Sequence, residues 1–261
     1  MKLRIYQIDA FTDQVFRGNP AAVCILDEWL EESLMQKIAA ENNLAETAFV
    51  VKKDNSFQIR WFTPKVEVNL CGHATLASAF VLYNYYGVTL EKIDFNSPRS
   101  GLLSVSKSEN ELTLDFPTDD LEAVAIPGEC IEAFGLRPNE AYKGKTDYML
   151  IFDSEKDVVD MKPNLAVVAG MECRGVIVSA PGEDVDFVSR FFAPQSGIDE
   201  DPVTGSAHTS LTPYWSRRLN KTTMKARQVS ERQGELTCSY LGERVKIMGS
   251  AVVYMVGEID V

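Results

Sequence analysis

The sequence predicts an α+β fold made of two pseudo-symmetric halves, each a mostly antiparallel sheet wrapped around a central helix. The first observation is a spaced repeat: residues 60–83 read RWFTPKVEVNLCGHATLASAFVLY, and residues 190–215 read RFFAPQSGIDEDPVTGSAHTSLTPYW. The second is that strand-like runs outnumber helical ones and follow in hairpin order. The third is that residues 74–82 carry no charge and are apolar on every side, as in a buried helix.

The repeat is a matter of order as well as of residue type. Five pairs of positions match in the two copies: Arg60 with Arg190, Phe62 with Phe192, Pro64 with Pro194, Gly72 with Gly205, and Ala74 with Ala207. Chance similarity is the alternative, but both histidines of the chain, His73 and His208, fall in the copies. We therefore expect domains at 1–118 and 119–261, with central helices from Gly72 and Gly205. The last strand is free to cross back to the first half.

The other elements follow from local patterns. In the first half, alternation and apolar runs predict strands at 3–10, 21–26, 48–52, 57–62, 93–96, 101–107 and 111–116, and 3.6-residue periodicity predicts a helix at 31–42. Turns are expected at 17–20, 53–56 and 109–110, and Gly87 is expected to end the central helix in a left-handed conformation. In the second half, helices are predicted at 129–134 and 164–171, and strands at 147–152, 175–179, 186–192, 225–228, 235–240 and 245–256. Pro213 predicts a kinked or short second central helix.

Composition narrows the functional class. The chain has 261 residues, which fits one large domain or two of about 100–150 residues, and its 45% hydrophobic residues are enough for a sizeable core. A net charge of −12 without a basic run argues against a nucleic-acid partner. The first residues turn polar too early for a signal peptide, and no run reaches the ~18 apolar residues of a membrane span. Five cysteines without a CxxC spacing and two histidines indicate reduced cytoplasmic thiols and no zinc site.

The two predicted helix starts are the first candidates for a binding site. Free N–H groups at a helix N-terminus bind carboxylates or developing oxyanions, and glycine lets the backbone approach a ligand closely. Two ordinary helix caps are the alternative, but the matched pair favours a site. Its substrate-binding residues are then Cys71, Gly72 and Ala74 in the first copy and Thr204, Gly205 and Ala207 in the second.

Four side chains near these starts suggest acid–base chemistry, and each has a structural alternative. Glu46 at the entry to a strand has the chemistry of a proton shuttle, although spacing alone favours a surface glutamate. His73 is the strongest single candidate, with a satisfied core histidine as the alternative. Asp201 either orients a base or belongs to a solvated acidic run. Cys71 at a helix start is either a thiol of lowered pKa or an ordinary buried cysteine.

Four blocks of sequence resemble one family. They are IDAFTDQVFRGNPAAV at 8–23, NLAETAFV at 43–50, RWFTPKVEVNLCGHATLASA at 60–79 and DEDPVTGSAHTS at 199–210. The chain is similar along nearly its whole length to the phenazine-biosynthesis PhzF-like proteins, relatives of diaminopimelate epimerase and proline racemase. The resemblance implies a diaminopimelate epimerase-like fold, a site between two domains, no cofactor and a homodimer. It also implies the catalytic residues Glu46 as proton shuttle, His73 and Asp201 as polar partners, and Ser206 at the second helix start.

One departure from the relatives bears on the reaction. In the epimerases and racemases of this fold a cysteine precedes the glycine of each helix start, whereas here Cys71 occupies the first place and Thr204 the second. The leading hypothesis is therefore a cofactor-independent isomerase in which Glu46 moves a proton between carbons of a small carboxylate-bearing metabolite. The alternatives are an epimerase or racemase using Cys71, and a non-catalytic ligand-binding protein of the same fold.

Overall fold

The computed structural model describes residues 1–53, 56–109 and 111–261. The chain divides into two compact units, the first made of Met1–Asp115 and Met248–Val261 and the second of Phe116–Ile247. The predicted turns at 53–56 and 109–110 include positions 54, 55 and 110, which lie outside the described residues. Among the described residues no helix is both long and apolar enough to cross a membrane.

The chain runs through seventeen strands and six α-helices within the described residues. From the start to the boundary these are β1 (Lys2–Ala10), β2 (Asn19–Leu26), α1 (Glu32–Asn42), β3 (Glu46–Lys53), β4 (Ser56–Phe62), β5 (Glu67–Val68), α2 (Gly72–Tyr85), β6 (Lys92–Ser97), β7 (Gly101–Ser108) and β8 (Glu111–Pro117). Then follow β9 (Glu122–Val124), α3 (Cys130–Phe134), β10 (Glu140–Lys143), β11 (Asp147–Ile151), α4 (Glu155–Val159), α5 (Leu165–Ala169), β12 (Gly175–Pro181), β13 (Phe187–Phe192), a 3₁₀ turn (Pro194–Ser196), α6 (Ala207–Leu219), β14 (Thr223–Gln228), β15 (Gly234–Tyr240), β16 (Arg244–Gly249) and β17 (Ala251–Asp260).

The two units repeat one order of strand pairing. In the first unit β1–β2 is antiparallel, β2–β3 parallel, β3–β4 antiparallel, β4–β6 parallel and β6–β7 antiparallel. In the second unit β10–β11, β11–β12, β12–β13, β13–β14 and β14–β15 follow with the same five senses in the same order. The predicted α+β class and the duplication read from the sequence repeat are confirmed by this match. The last strand, β17, pairs antiparallel with β1.

Each unit packs a central helix against its strands. The predicted all-round burial of α2 is confirmed, since buried residues follow one another from His73 to Ala79, and the helix contacts β1, β2, β3, β7 and β17. Gly87, just beyond its end, has the expected left-handed conformation with φ +63°. Helix α6 contacts β11, β14 and β15 and stacks Trp215 on Phe187, with ring centroids 5.7 Å apart.

Helix α6 differs from its prediction at both the start and the proline. It begins at Ala207 rather than Gly205, because residues 205–206 form a turn closed by bonds from His208 N to Gly205 O and from Thr209 N to Ser206 O. Of the two outcomes predicted for Pro213, the short helix is wrong, since α6 continues six residues beyond it to Leu219, and the kink stays a prediction. Proline cannot bond the carbonyl four residues back. That carbonyl, on Thr209, instead accepts the backbone N–H of Asp119 at 3.2 Å.

The repeated arginine makes the same contacts in each unit. Nε and a terminal nitrogen of Arg60 bond the two carboxylate oxygens of Glu67 at 2.7 and 2.8 Å, and the guanidinium lies 5.2 Å from the centroid of the Phe62 ring. Arg190 likewise bonds both oxygens of Glu200 at 2.7 and 2.9 Å and lies 4.9 Å from the Phe192 ring. These bidentate pairs hold the loop that leads from β4 or β13 toward the central helix.

The sequence missed the shortest elements. Helix α4 has five residues and strands β9 and β10 have three and four, lengths at which periodicity carries little signal. A local signal for α4 was present, since Ser154 and Asp157 form a reciprocal capping box at its start.

Substitution of Gly18 tests the turn that returns the chain from β1 to β2. Its φ is +64°, and a Cβ there would lie 2.1 Å from the backbone oxygen of Ala10. We expect Gly18→Ala to lower the free energy of unfolding by more than ~3 kcal/mol, since left-handed strain of about 1–2 kcal/mol adds to a backbone clash. Gly87→Ala is the matched control, because Gly87 has φ +63° with nothing within 4 Å of the added Cβ, and should lose only the strain. Equal losses by urea denaturation would rule out the clash.

Candidate functional site

Glu46 faces the start of α2 because of strand geometry. In the parallel β2–β3 pair Glu46 lies opposite Ala21, so these two residues and Asn19 point to one face of the sheet. The opposite face is covered by α1, whose core cluster includes Ala22 and Phe49 from the alternate positions. Glu46 is only 8% exposed. The surface-glutamate interpretation favoured by spacing alone is therefore wrong, because parallel pairing places this strand entry inside the unit.

His73 lies buried in the first turn of α2, between two partners. Its Nε2 is 3.2 Å from Oε2 of Glu46, within hydrogen-bond distance but without the straight geometry of a strong hydrogen bond. Its Nδ1 is 3.1 Å from Nδ2 of Asn19. Burial lowers the pKa of His73 to about 3, so the ring is neutral at neutral pH. The site thus pairs a neutral imidazole with a carboxyl group.

Cys71 completes this cluster. Its Sγ lies 3.5 Å from Nδ1 and 3.9 Å from Nε2 of His73, and its carbonyl accepts the Thr75 hydroxyl at 2.6 Å. Donor atoms of Glu46, Cys71 and His73 all lie within 4.8 Å of one another, the one such group of potential metal ligands found among the described residues. Thiolate, imidazole and carboxylate are the ligand types that zinc takes. The absence of a metal therefore stays a prediction, to be checked by elemental analysis of the purified protein.

Asp201 and Thr204 are joined by a buried hydrogen-bond network in the second unit. The Thr204 hydroxyl donates to Oδ2 of Asp201 at 2.6 Å. Gln228 accepts the Thr204 N–H at 2.8 Å and donates to the Asp201 carbonyl at 2.7 Å. Asp201 is buried, so the interpretation as one of a solvated acidic run is wrong for this residue. Thr204 occupies the position where the related enzymes have a second thiol. Its hydroxyl proton points to Asp201.

Ser206 lies at the turn before α6 beside a cation. Its Oγ accepts a hydrogen bond from Arg174 at 3.0 Å, and Arg174 also bonds both carboxylate oxygens of Asp147. Gly205 and Ala207 flank Ser206, and neither carries a side chain larger than a methyl group. Sequence reasoning missed Arg174 and Gln228, and it missed Asn19 in the first unit. No local pattern marks the first two, whereas Asn19 belongs to the turn signal RGNP.

His208 has a structural role. It is fully buried, its Nδ1 lies 2.9 Å from the carbonyl oxygen of Thr204, and its ring lies 6.0 Å from that of Phe187. Because a carbonyl only accepts, Nδ1 carries the proton. Burial lowers the pKa of His208 to about 4, although the Thr204 carbonyl acts in the opposite direction. This ring ties the turn to the helix, two residues after Ser206 along the chain.

The structure thus forms two local clusters. Glu46, Cys71 and His73 lie together in the first unit, beside Gly72 and Ala74 of the first helical turn. Asp201 and Thr204 lie together in the second unit. That the catalytic and substrate-binding residues of both clusters line one cavity stays a prediction.

Comparison with known proteins connects this geometry to a family. The sequence profile of the phenazine biosynthesis-like proteins matches residues 8–257. The chain belongs to the phenazine biosynthesis-like (PhzF) family. A relative from Pseudomonas aeruginosa, named an uncharacterized isomerase, is 50% identical, with 98% of each chain covered. A crystal structure of a PhzF-family protein from Enterococcus faecalis is similar with a TM-score of 0.97 at 49% identity, covering 100% of both chains.

The PhzF family shares its fold with more distant enzymes. The structure of a hydroxyproline epimerase from Agrobacterium vitis, with bound trans-4-hydroxy-L-proline, matches with a TM-score of 0.62 over 99% of this chain and 92% of that one. At 9% identity this likeness shows the fold alone. The epimerase-related architecture implied by the sequence motifs is confirmed.

The two buried histidines should make the protein less stable as pH falls below 6.5. Their pKa values are lowered from 6.5 to about 3 and about 4, so over this window the unfolded chain binds protons that the folded chain does not. We expect the free energy of unfolding to fall with a limiting slope of about 1.4 kcal/mol per pH unit for each histidine. Urea denaturation between pH ~7 and ~4.5 measures the slope.

His208→Asn isolates one contribution. The amide can still donate to the Thr204 carbonyl but does not titrate. Its stability should depend less steeply on pH than that of the wild type by about one histidine. An unchanged slope would show that His208 is protonated in the folded protein.

Proposed function

We propose that the protein is a cofactor-independent isomerase that moves a proton between two carbons of a small carboxylate-bearing metabolite. The observation that carries this proposal is the buried carboxyl group of Glu46 next to the neutral ring of His73, 3.2 Å away. A carboxylate can take a proton from one carbon and return it to another, as a shuttle requires. The isomerase name of the Pseudomonas relative supports the same reaction class.

The proposed reaction needs one base, which removes a proton and returns it. Glu46 removes a proton from one carbon, and the electron pair left behind delocalises into an adjacent unsaturated system of the substrate. The protonated Glu46 then returns the proton to a second carbon of that system. No electron acceptor is consumed and no bond to the protein forms, so Glu46 ends the cycle as it began.

The remaining residues are proposed to hold the substrate and its developing charge. Helix amides near Gly72 and Ala74, and turn amides near Gly205 and Ala207, are suited to bind a carboxylate or enolate. Asp201 and Ser206 offer a carboxylate and a hydroxyl for polar groups of the substrate. Binding by these groups in the transition state stabilises charge that the ground state lacks.

A one-base reaction fits the second unit better than a two-thiol racemisation. Thr204 occupies the place of the second thiol, and its hydroxyl donates to Asp201. An alcohol is also a far weaker acid than a thiol, so it supplies no second base at neutral pH. Epimerisation through Cys71 and ligand binding without turnover remain the competing proposals.

Glu46→Gln decides among these functions. Metabolites that co-purify with the protein are identified by mass spectrometry and incubated with enzyme in deuterium oxide. We expect the wild type to move deuterium into a carbon position of a bound carboxylate, and Glu46→Gln to lose about 10²–10⁴-fold in rate with ligand affinity retained. The amide keeps the shape of the carboxyl group but cannot take a proton from carbon.

Two matched variants complete the test. Glu41→Gln alters an exposed glutamate of α1 and should leave the rate unchanged. If Cys71→Ser loses turnover while Glu46→Gln retains it, the thiol route is correct. If every ligand binds and none exchanges, the protein is a binding protein.

We also propose that the protein is a homodimer that associates through β17. Residues 247–257 carry no charged side chain in a chain of net charge −12, so this is where two identical copies repel least. Tyr254 on β17 is 49% exposed, and its ring lies 5.7 Å from that of Phe16, which is 67% exposed. An exposed apolar strand of this kind is suited to an isologous contact.

Sedimentation tests this association. The wild type should sediment as a dimer, and Tyr254→Glu should shift it toward monomer by at least tenfold in dissociation constant, since it buries a charge in the contact. Leu102→Glu, at an exposed residue of β7, is the control and should leave the dimer intact. A monomeric wild type, or equal effects of both substitutions, would contradict the proposal.

A further inference from the structure

We propose that Asn19 is a positioning residue that holds His73 in its Nε2–H tautomer and so presents an N–H group to Glu46. This inference rests on the proposed function of Glu46 for its catalytic meaning, but the tautomer can be measured without any substrate. Asn19 is fully buried at the first position of β2, and its Nδ2 lies 3.1 Å from Nδ1 of His73.

The tautomer follows from the donor and acceptor inventory. An amide nitrogen only donates, so the Nδ1 that it contacts must be the acceptor nitrogen of the neutral ring. The proton of the ring then resides on Nε2, which lies 3.2 Å from Oε2 of Glu46. In the other tautomer the N–H at Nδ1 of His73 would face the N–H of Asn19. At Nε2 a lone pair of His73 would face the carboxylate of Glu46. Both contacts would be repulsive.

The backbone fixes the amide where this contact is made. Asn19 pairs with Ala10 at the end of the β1–β2 ladder, immediately after the left-handed turn at Gly18. Cys71 is the competing donor, since its Sγ lies 3.5 Å from the same Nδ1. A thiol is a weak donor compared with an amide N–H, so Asn19 should dominate.

The consequence for the reaction is that the proton on Nε2 of His73 is in position before the substrate binds. An N–H at Nε2 directs the positive end of its dipole toward Oε2 of Glu46, 3.2 Å away. In the opposite tautomer His73 could only accept, and it would favour the protonated acid instead. Asn19 therefore biases the shuttle toward its proton-accepting state without touching the substrate.

His208 provides an internal reference of opposite tautomer. Its Nδ1 lies 2.9 Å from the Thr204 carbonyl, which can only accept, so the proton is on Nδ1. The chain has two histidines, so a sample labelled with ¹⁵N at histidine gives two ring systems. Long-range ¹H–¹⁵N spectra of the full chain near pH 7 should show one ring of each tautomer, and His208→Asn assigns them by removing one.

Asn19→Asp reverses the contact with almost no change of shape. A carboxylate in place of the amide accepts rather than donates, so Nδ1 of His73 should become protonated. The ring should then appear as the Nδ1–H tautomer or as imidazolium, since the new negative charge lies beside Nδ1. The His208 signals should not move, since His208 lies in the second unit and Asn19 in the first. Cys71→Ala is the control and should leave the His73 tautomer unchanged.

Three results would overturn the proposal. They are a wild-type His73 with its proton on Nδ1, a folded Asn19→Asp variant with an unchanged His73 spectrum, or a tautomer lost in Cys71→Ala. If Asn19→Asp does not fold, the wild-type and Cys71→Ala spectra still decide the assignment. Failure of Glu46→Gln to reduce turnover would refute the shuttle and leave the tautomer result standing, so the two ideas fail separately.

Discussion

The site in the first unit depends on burying a carboxyl group and an imidazole together at the start of α2. Desolvation disfavours every charged form there, so buried polar groups are tolerated best when they are neutral or have partners. The imidazole lies there as a neutral ring between Asn19 and Glu46. The parallel β2–β3 pair makes this possible, because it sets Asn19 and Glu46 on one sheet face, toward the helix that carries His73. Sheet register and helix burial together thus bring the carboxyl group and the imidazole to one place.

The second unit meets the same architectural demand with different chemistry. At the position matching Cys71 it has Thr204, and at the position matching His73 it has Ser206. Around them Gln228 bonds the backbone of both Asp201 and Thr204, and the Thr204 hydroxyl donates to the Asp201 carboxylate. A duplicated scaffold has therefore kept its strand order and its arginine–glutamate–phenylalanine contacts while its two helix starts diverged. The contacts that hold the loop are the same in both units, whereas the residues at the two helix starts differ.

In α6, a backbone carbonyl outside these clusters also finds a hydrogen-bond partner from a distant segment. Pro213 would leave a carbonyl of α6 without a partner, and the chain resolves this by bringing the N–H of Asp119 to Thr209. The side chain of Asp119 also accepts the Ser210 hydroxyl at 2.7 Å. Asp119, from the segment after β8, thus supplies a hydrogen bond to a helix ninety positions later in the chain. The helix continues past the proline to Leu219.

The sequence by itself determined the class of fold, the duplication and most elements longer than five residues. Hydrophobic periodicity and the repeated Arg–x–Phe–x–Pro pattern are local, so they survive in a linear reading. The motifs also indicated the candidate residues, from Glu46 and His73 to Asp201 and Ser206. The burial of Glu46 was beyond that reading, since spacing alone favoured a surface position. So were the partners Asn19, Arg174 and Gln228, and the continuation of α6 past Pro213. Only the tertiary structure decided these, because strand pairing and contacts between distant segments have no local pattern along the chain.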